Sequence, residues 1–150
     1  MNTDIIARLH ESDNKNAYAL LQQLEMISEE SSELYGYLED FLEMTGDNNS
    51  FIRVRGFRLA CAQSKWDAEN RLDTDLDILL RMLDDEKPTA VRQCLAALHK
   101  IVICKPNLGE RILRRMDEMD LSKYKDSMAP LIRKDMEVLA RKITEKQGEK

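Results

Sequence analysis

The sequence predicts an all-α fold built from about four stacked helical hairpins. Three observations carry that prediction. Aromatic residues are only 5% of the chain, with five Gly and three Pro. That is too little material for the aromatic and β-branched strands and frequent turns of a sandwich or barrel. The bulk of the chain is Leu, Glu, Lys, Arg, Met and Ala, residues that lose little on entering a helix. Finally, one apolar pattern recurs about every 40 residues, the mark of stacked supersecondary units. With 150 residues, the chain suffices for one domain.

The elements follow in order. Ile5, Ile6 and Leu9 give a short apolar helix face, followed by Ala17-Tyr18-x-x-Leu21-x-x-Leu24, a weak copy of the repeat without its Arg. Leu34, Leu38, Phe41 and Leu42 line a second helix, and Gly46-Asp47-Asn48-Asn49-Ser50 is a turn with Ser50 as the expected N-cap. The first clear copy is Ile52-Arg53-x-x-Gly56-x-x-Leu59. Leu72, Leu76, Leu79, Leu80 and Leu83 form the next apolar stripe, and Pro88 suits the first turn of the helix after it. The second copy there is Val91-Arg92-x-x-Leu95-x-x-Leu98. Pro106 and Asn107 start another helix, with Glu110 at capping-box spacing from Asn107 and Leu108, Ile112, Leu113 and Met116 on one side. Pro130 falls in the first turn of the last helix, which carries Ile132-Arg133-x-x-Met136-x-x-Leu139. Positions i, i+4 and i+7 of each copy stack on one helix face. The expected hairpins are 1–27, 28–66, 67–105 and 106–145, with 146–150 a flexible polar tail. Each hairpin alone exposes an apolar face, and stacking buries these faces in one core.

A helix pair, an acidic or Asn-rich turn and then Ile/Val-Arg opening the second helix, repeated at about 40 residues, resembles the HEAT repeat. The sequence is also similar to small bacterial HEAT-like proteins through Lys65-Trp66-Asp67, Asp85-Glu86-Lys87-Pro88 and Lys125-Asp126-Ser127-Met128. The resemblance covers 28–145 clearly and 1–27 faintly. It implies a short right-handed α-solenoid with first helices outside and second helices inside. It also implies an Asp–Arg ladder, for which the matching pairs are Asp47 with Arg53, Asp85 with Arg92 and Asp126 with Arg133.

Charge alternates along the same repeat. Residues 28–47 sum to −7, 51–66 to +4, 67–86 to −6 and 87–105 to +4, within a net charge of −5. One reading is that acidic outer helices merely complement basic inner ones, where exposed pairs contribute only ~0–1 kcal/mol each. The other is a basic inner face that takes an acidic segment of another protein. Arg55 and Arg58 share a side of their helix and lead toward Lys65 and Trp66, and Arg and Trp are enriched in binding hot spots. Arg92, Gln93 and Lys134 continue that face on later inner helices.

Function classes are narrowed further. The N-terminal residues lack a basic, apolar and small-residue leader pattern, and no apolar run approaches the ~20 residues of a membrane span. A cytoplasmic protein is expected, without membrane contact. Cys61, Cys94 and Cys104 form no metal or disulfide spacing and read as reduced core residues. His99 reads as solvated, His10 has no nucleophile near it, and the eight Met sit mostly at core spacing. No phosphate loop, Gly-x-Gly-x-x-Gly, zinc-protease or acyl-transfer pattern is present. The expectation is a non-catalytic scaffold or adaptor with no cofactor and no small-molecule substrate. The alternative is nucleic-acid binding, by analogy with helical-repeat DNA glycosylases. It is disfavoured by the acidic balance and the single Trp.

Overall fold

The Leu- and Ala-rich runs fold as eight α-helices in a computed structural model that describes residues 4–148. They are α1 (Asp4–Leu9), α2 (Asn14–Glu30), α3 (Leu38–Met44), α4 (Ser50–Ala62), α5 (Arg71–Leu80), α6 (Pro88–Cys104), α7 (Gly109–Asp117) and α8 (Ala129–Gly148). Short 3-10 turns at Tyr35–Tyr37, Ser64–Trp66, Arg81–Asp84, Pro106–Leu108 and Leu121–Lys123 join them. Among the described residues there is no strand, and no helix is long and apolar enough to cross a membrane.

The helix starts show local chemistry at work. The Asp13 carboxylate accepts the Lys15 and Asn16 N–H groups and so caps α2. Asn49, not Ser50, caps α4 by accepting the Phe51 N–H at 2.8 Å. Pro88 occupies the first turn of α6, where a missing N–H costs nothing. Asn107 caps nothing: its side chain donates to Asp73 at 3.0 Å, and α7 begins only at Gly109.

Even-numbered helices form the spine of the molecule. α2 packs on α4, α4 on α6 and α6 on α8, while α1, α3 and α7 lie against α2, α4 and α8 in turn. The turn Arg81–Asp84 carries the end of α5 onto α6. Phe41, Phe57, Leu59, Leu76, Cys94, Leu98 and Ile101 are fully buried between these layers. Gly56 marks the tightest approach. A Cβ there would stand 2.5 Å from both Met44 Cβ and the Phe41 carbonyl oxygen, so only glycine lets α3 lie this close to α4.

Four boundaries and placements differ from the sequence reading. α2 continues to Glu30, past the expected break at 27, because its apolar positions run on through Leu24 and Ile27 to buried Ser28. α8 continues through Gly148, so 146–148 are helical, and 149 and 150 lie outside the described residues, as do 1–3 of the first hairpin. Cys61 and Cys94 are buried, but Cys104 at the end of α6 is exposed. His99 is half-buried, and burial together with Lys142 pushes its imidazole pKa down.

Candidate functional site

The Ile/Val-Arg positions lie near the starts of α4, α6 and α8, but their arginines form no ion pair within their own hairpins among the described residues. Arg53 forms a bidentate bridge to Asp85, with Nε and Nη2 at 2.8 and 3.0 Å from its oxygens. Its Nη1 donates to the Asp47 and Asn48 carbonyls, while the Asp47 carboxylate accepts the Asn49 N–H. The Asp47–Arg53 rung is therefore a backbone contact. Arg92 passes over Asp85 to Asp135 on α8, at 2.7 Å. Asp126 and Arg133 both line an open cavity at the α7–α8 end, and among the described residues no ion pair joins them. Arg53 and Arg92 are thus each tied to the following hairpin, Arg53 to the turn residue Asp85 and Arg92 to Asp135 on α8.

The basic stripe is likewise rearranged. Arg55 is buried, 4% exposed. Its Nη1 donates to the Leu9 and Glu11 carbonyls and its Nη2 to Asn14 Oδ1, tying α4 to the corner between α1 and α2. No carboxylate pairs with it among the described residues, and burial lowers its pKa. Arg58 is bidentate to Glu25 on α2 at 2.7 and 3.0 Å, donates to Gln93 Oε1 at 3.1 Å, and stacks over the Tyr18 ring. Lys100 of α6 reaches Glu25 and Glu29 at 4.0 and 3.8 Å. Lys65 donates to the Glu29 carbonyl at 2.6 Å and lies over the Trp66 ring. Trp66 is half-buried and donates from Nε1 to the Ser28 carbonyl at 2.6 Å. Gln93 and Lys134 are exposed. Of the expected surface residues, Arg58 and Gln93 meet, Lys65 and Trp66 form a separate tie to the end of α2, and Arg55 is an internal strut.

What the sequence did not reveal is a concavity where the first turns of α2, α4 and α6 converge. Asn14 and Lys15 of α2, Ser50 and Phe51 of α4, and Thr89 and Ala90 of α6 line a cavity of about 520 Å³, together with Tyr18, Leu21, Val54, Arg55, Lys87 and Gln93. Tyr18 and Phe51 are 48% and 55% exposed. Three cationic residues and no acid line the space. Gln93 also borders two shallower cavities farther along, one with Glu25, Arg58 and Lys100, the other with Arg92 and Asp135.

Behind the face lies a buried charged cluster. The Asp67 carboxylate accepts the Arg71 and Leu72 N–H groups and the Tyr35 hydroxyl at 2.5 Å. Asn70, at φ 57°, turns the chain in the left-handed region so that Asp67 reaches the start of α5. Lys105 Nζ lies 3.2 Å from Asp67, 2.7 Å from Asp73 and 2.8 Å from Asn70 Oδ1. Burial works against the Asp67 charge, but the bonds from Tyr35, Leu72 and Lys105 overcome it and hold the carboxyl below its ordinary value. Burial likewise opposes the Lys105 charge, and Asp73 and Asp67 raise its pKa regardless.

Compared with known proteins, the chain matches no family model, no curated protein and no solved structure.

Proposed function

We propose that the chain is a short right-handed HEAT-like solenoid serving in the cytoplasm as a non-catalytic scaffold, whose second-helix face binds a segment of another protein. The succession α2–α4–α6–α8 supports the architecture. So does the reach of the interhelical hydrogen bonds described above, from 32 residues (Arg53–Asp85) to 46 residues (Arg55–Leu9), about one repeat. The observation that carries the binding reading is the distribution of apolar surface. Tyr18, Met26, Phe51, Ile103, Leu131 and Val138 are exposed on second helices, and Ile78 alone among the large exposed hydrophobics of the described residues lies on a first helix. Of these, Tyr18 and Phe51 line one cavity together, and exposed apolar surface that is contiguous marks an interaction site. Arg53, Arg58 and Arg92 of these helices are engaged by Asp85, Glu25 and Asp135, which favours a partner recognised by shape and apolar contact over a polyanion recognised by phosphate neutralisation.

The test is a photo-crosslinking residue placed at Gln93 on the inner side or at Glu39 on the outer side, used in the native cell and read by mass spectrometry. A protein captured from Gln93 and not from Glu39 is the expected result. Nucleic acid captured at Gln93 would replace the scaffold reading, and equal capture at both positions would remove the face assignment.

A further inference from the structure

We infer that the cavity between the first turns of α2, α4 and α6 takes one particular element of an extended peptide: a bulky apolar side chain flanked by carboxylates. The inference rests on the protein-binding reading and narrows it to one pocket and one ligand chemistry.

Size and walls come first. At about 520 Å³ the cavity has the dimensions of ligand sites, which run about 300–1,000 Å³. Tyr18, Leu21, Phe51, Val54 and Ala90 give it apolar walls. Two of the chain's eight aromatic residues stand at its mouth half in water, where an inserted side chain would cover them.

Charge decides the ligand. Lys15 and Lys87 are exposed and pair with no carboxylate among the described residues. Arg55 lies in the wall with its Nη groups on backbone carbonyls and an amide, and its Nε unused. A buried guanidinium without a counter-ion is an unfavourable arrangement that an incoming carboxylate relieves. The start of α6 adds little to this field, since the Asp85 carboxylate accepts the Lys87 N–H there at 2.9 Å. The lining itself holds Lys15, Arg55 and Lys87 and no acid, whereas the linings of the two neighbouring cavities hold Glu25 and Asp135.

Continuity decides between a peptide and a small molecule. Gln93 borders all three cavities, so they lie side by side across the second helices. An extended chain can pass from one to the next, with its acidic and apolar part over the first cavity and a neutral, polar part over the internally paired remainder.

The full-length chain, labelled with ¹⁵N, should be titrated with an N-acetylated, C-amidated hexapeptide Ser-Asp-Leu-Asp-Leu-Ser. Its variants with Lys for Asp and with Ser for Leu serve as comparisons, as does inorganic phosphate. Saturable shifts at the first turns of α2, α4 and α6 are expected with the parent peptide. Either peptide change, or Lys15→Glu with Lys87→Glu in the protein, should weaken binding about tenfold or more. Both lysines are exposed and unpaired, so the double variant should keep the parent melting temperature. Equal binding of the Lys peptide, shifts confined to other helices, or an identical response to phosphate would overturn the assignment. A partner crosslinked at Gln93 whose capture survives Lys15→Glu with Lys87→Glu would also overturn it, while leaving the broader scaffold reading intact.

Discussion

Gly56→Ala offers a direct test of how the hairpins close. Taken alone, the change should stabilise α4 by about 1 kcal/mol, because glycine is the poorer helix former. The structure opposes that gain. The added methyl would stand 2.5 Å from the Phe41 carbonyl oxygen and 2.5 Å from Met44 Cβ, roughly an ångström inside ordinary contact distance on two sides. One obstacle is backbone and the other is the stem of a side chain, so no rotamer change relieves the overlap. α3 must move away from α4, loosening fully buried Phe41 and Phe57. Overpacking of a dense core costs about 1–3 kcal/mol, and more where backbone must shift. The steric loss therefore exceeds the propensity gain, and a net loss of about 1–3 kcal/mol is expected. In a chain of this length that corresponds to a Tm lower by about 2–10 °C. The measurement is thermal and urea unfolding followed by circular dichroism. Gly36→Ala serves as the comparison, since a Cβ there meets nothing within 4 Å, and should leave Tm unchanged within error. A Gly56→Ala protein as stable as the parent would show that α3 and α4 do not approach as described.

The remaining predictions concern the core and the charged cluster. Leu95→Ala, at a position 1% exposed on α6, should cost about 2–5 kcal/mol in urea unfolding; an unchanged midpoint would mean the repeat register is wrong. Lys105→Met strands Asp67, whose side chain is fully buried, and should cost about 3–5 kcal/mol by the same assay; a loss under about 1 kcal/mol would deny the cluster its role. The carboxyls of Asp67 and Asp73 are both held below their ordinary value of 3.8. Their contribution is therefore complete above that value and is lost as pH falls through the lower native one. Tm should drop more steeply on acidification below about pH 4 in the parent than in Asp67→Asn, and parallel curves would refute the linkage. Arg55→Met removes charged hydrogen bonds to two carbonyls that close α1 against α4, each worth about 1.5–3 kcal/mol. It should lower Tm, whereas a surface arginine would be indifferent to the change.

The helices and their order were legible because apolar spacing and turn residues agree at nearly every junction. Ile52, Val91 and Ile132 do fall in second helices, and Pro88 does begin one. The arginines after Ile52 and Val91 were recognised as ties, but their partners were not, because the carboxylate that faces each guanidinium belongs to the adjacent hairpin and is fixed only by stacking. Arg55 was misjudged for a related reason. α4 is covered by α2, α3 and α6 together, so it buries almost its whole circumference and has no solvated side for Arg55 to occupy. Cys104 erred the other way, since the last turn of α6 emerges from cover. The cavity had one visible clue. Tyr18 stands where the other copies carry Arg, an aromatic residue in place of an interhairpin tie, and it lines the pocket.

The shifted pairing also limits how this molecule can be cut. In an idealised repeat array a unit can be excised and its neighbours closed up, because every joint is alike. Here Arg53 needs the Asp85 of the following hairpin, Arg92 needs Asp135, and Arg55 needs the carbonyls of Leu9 and Glu11 before it. Removing 67–105 would strand Arg53, removing 106–145 would strand Arg92, and removing 1–27 would take away the carbonyls that hold Arg55. Truncated versions should therefore collapse as wholes, and length variants could arise only if both halves of a joint changed together.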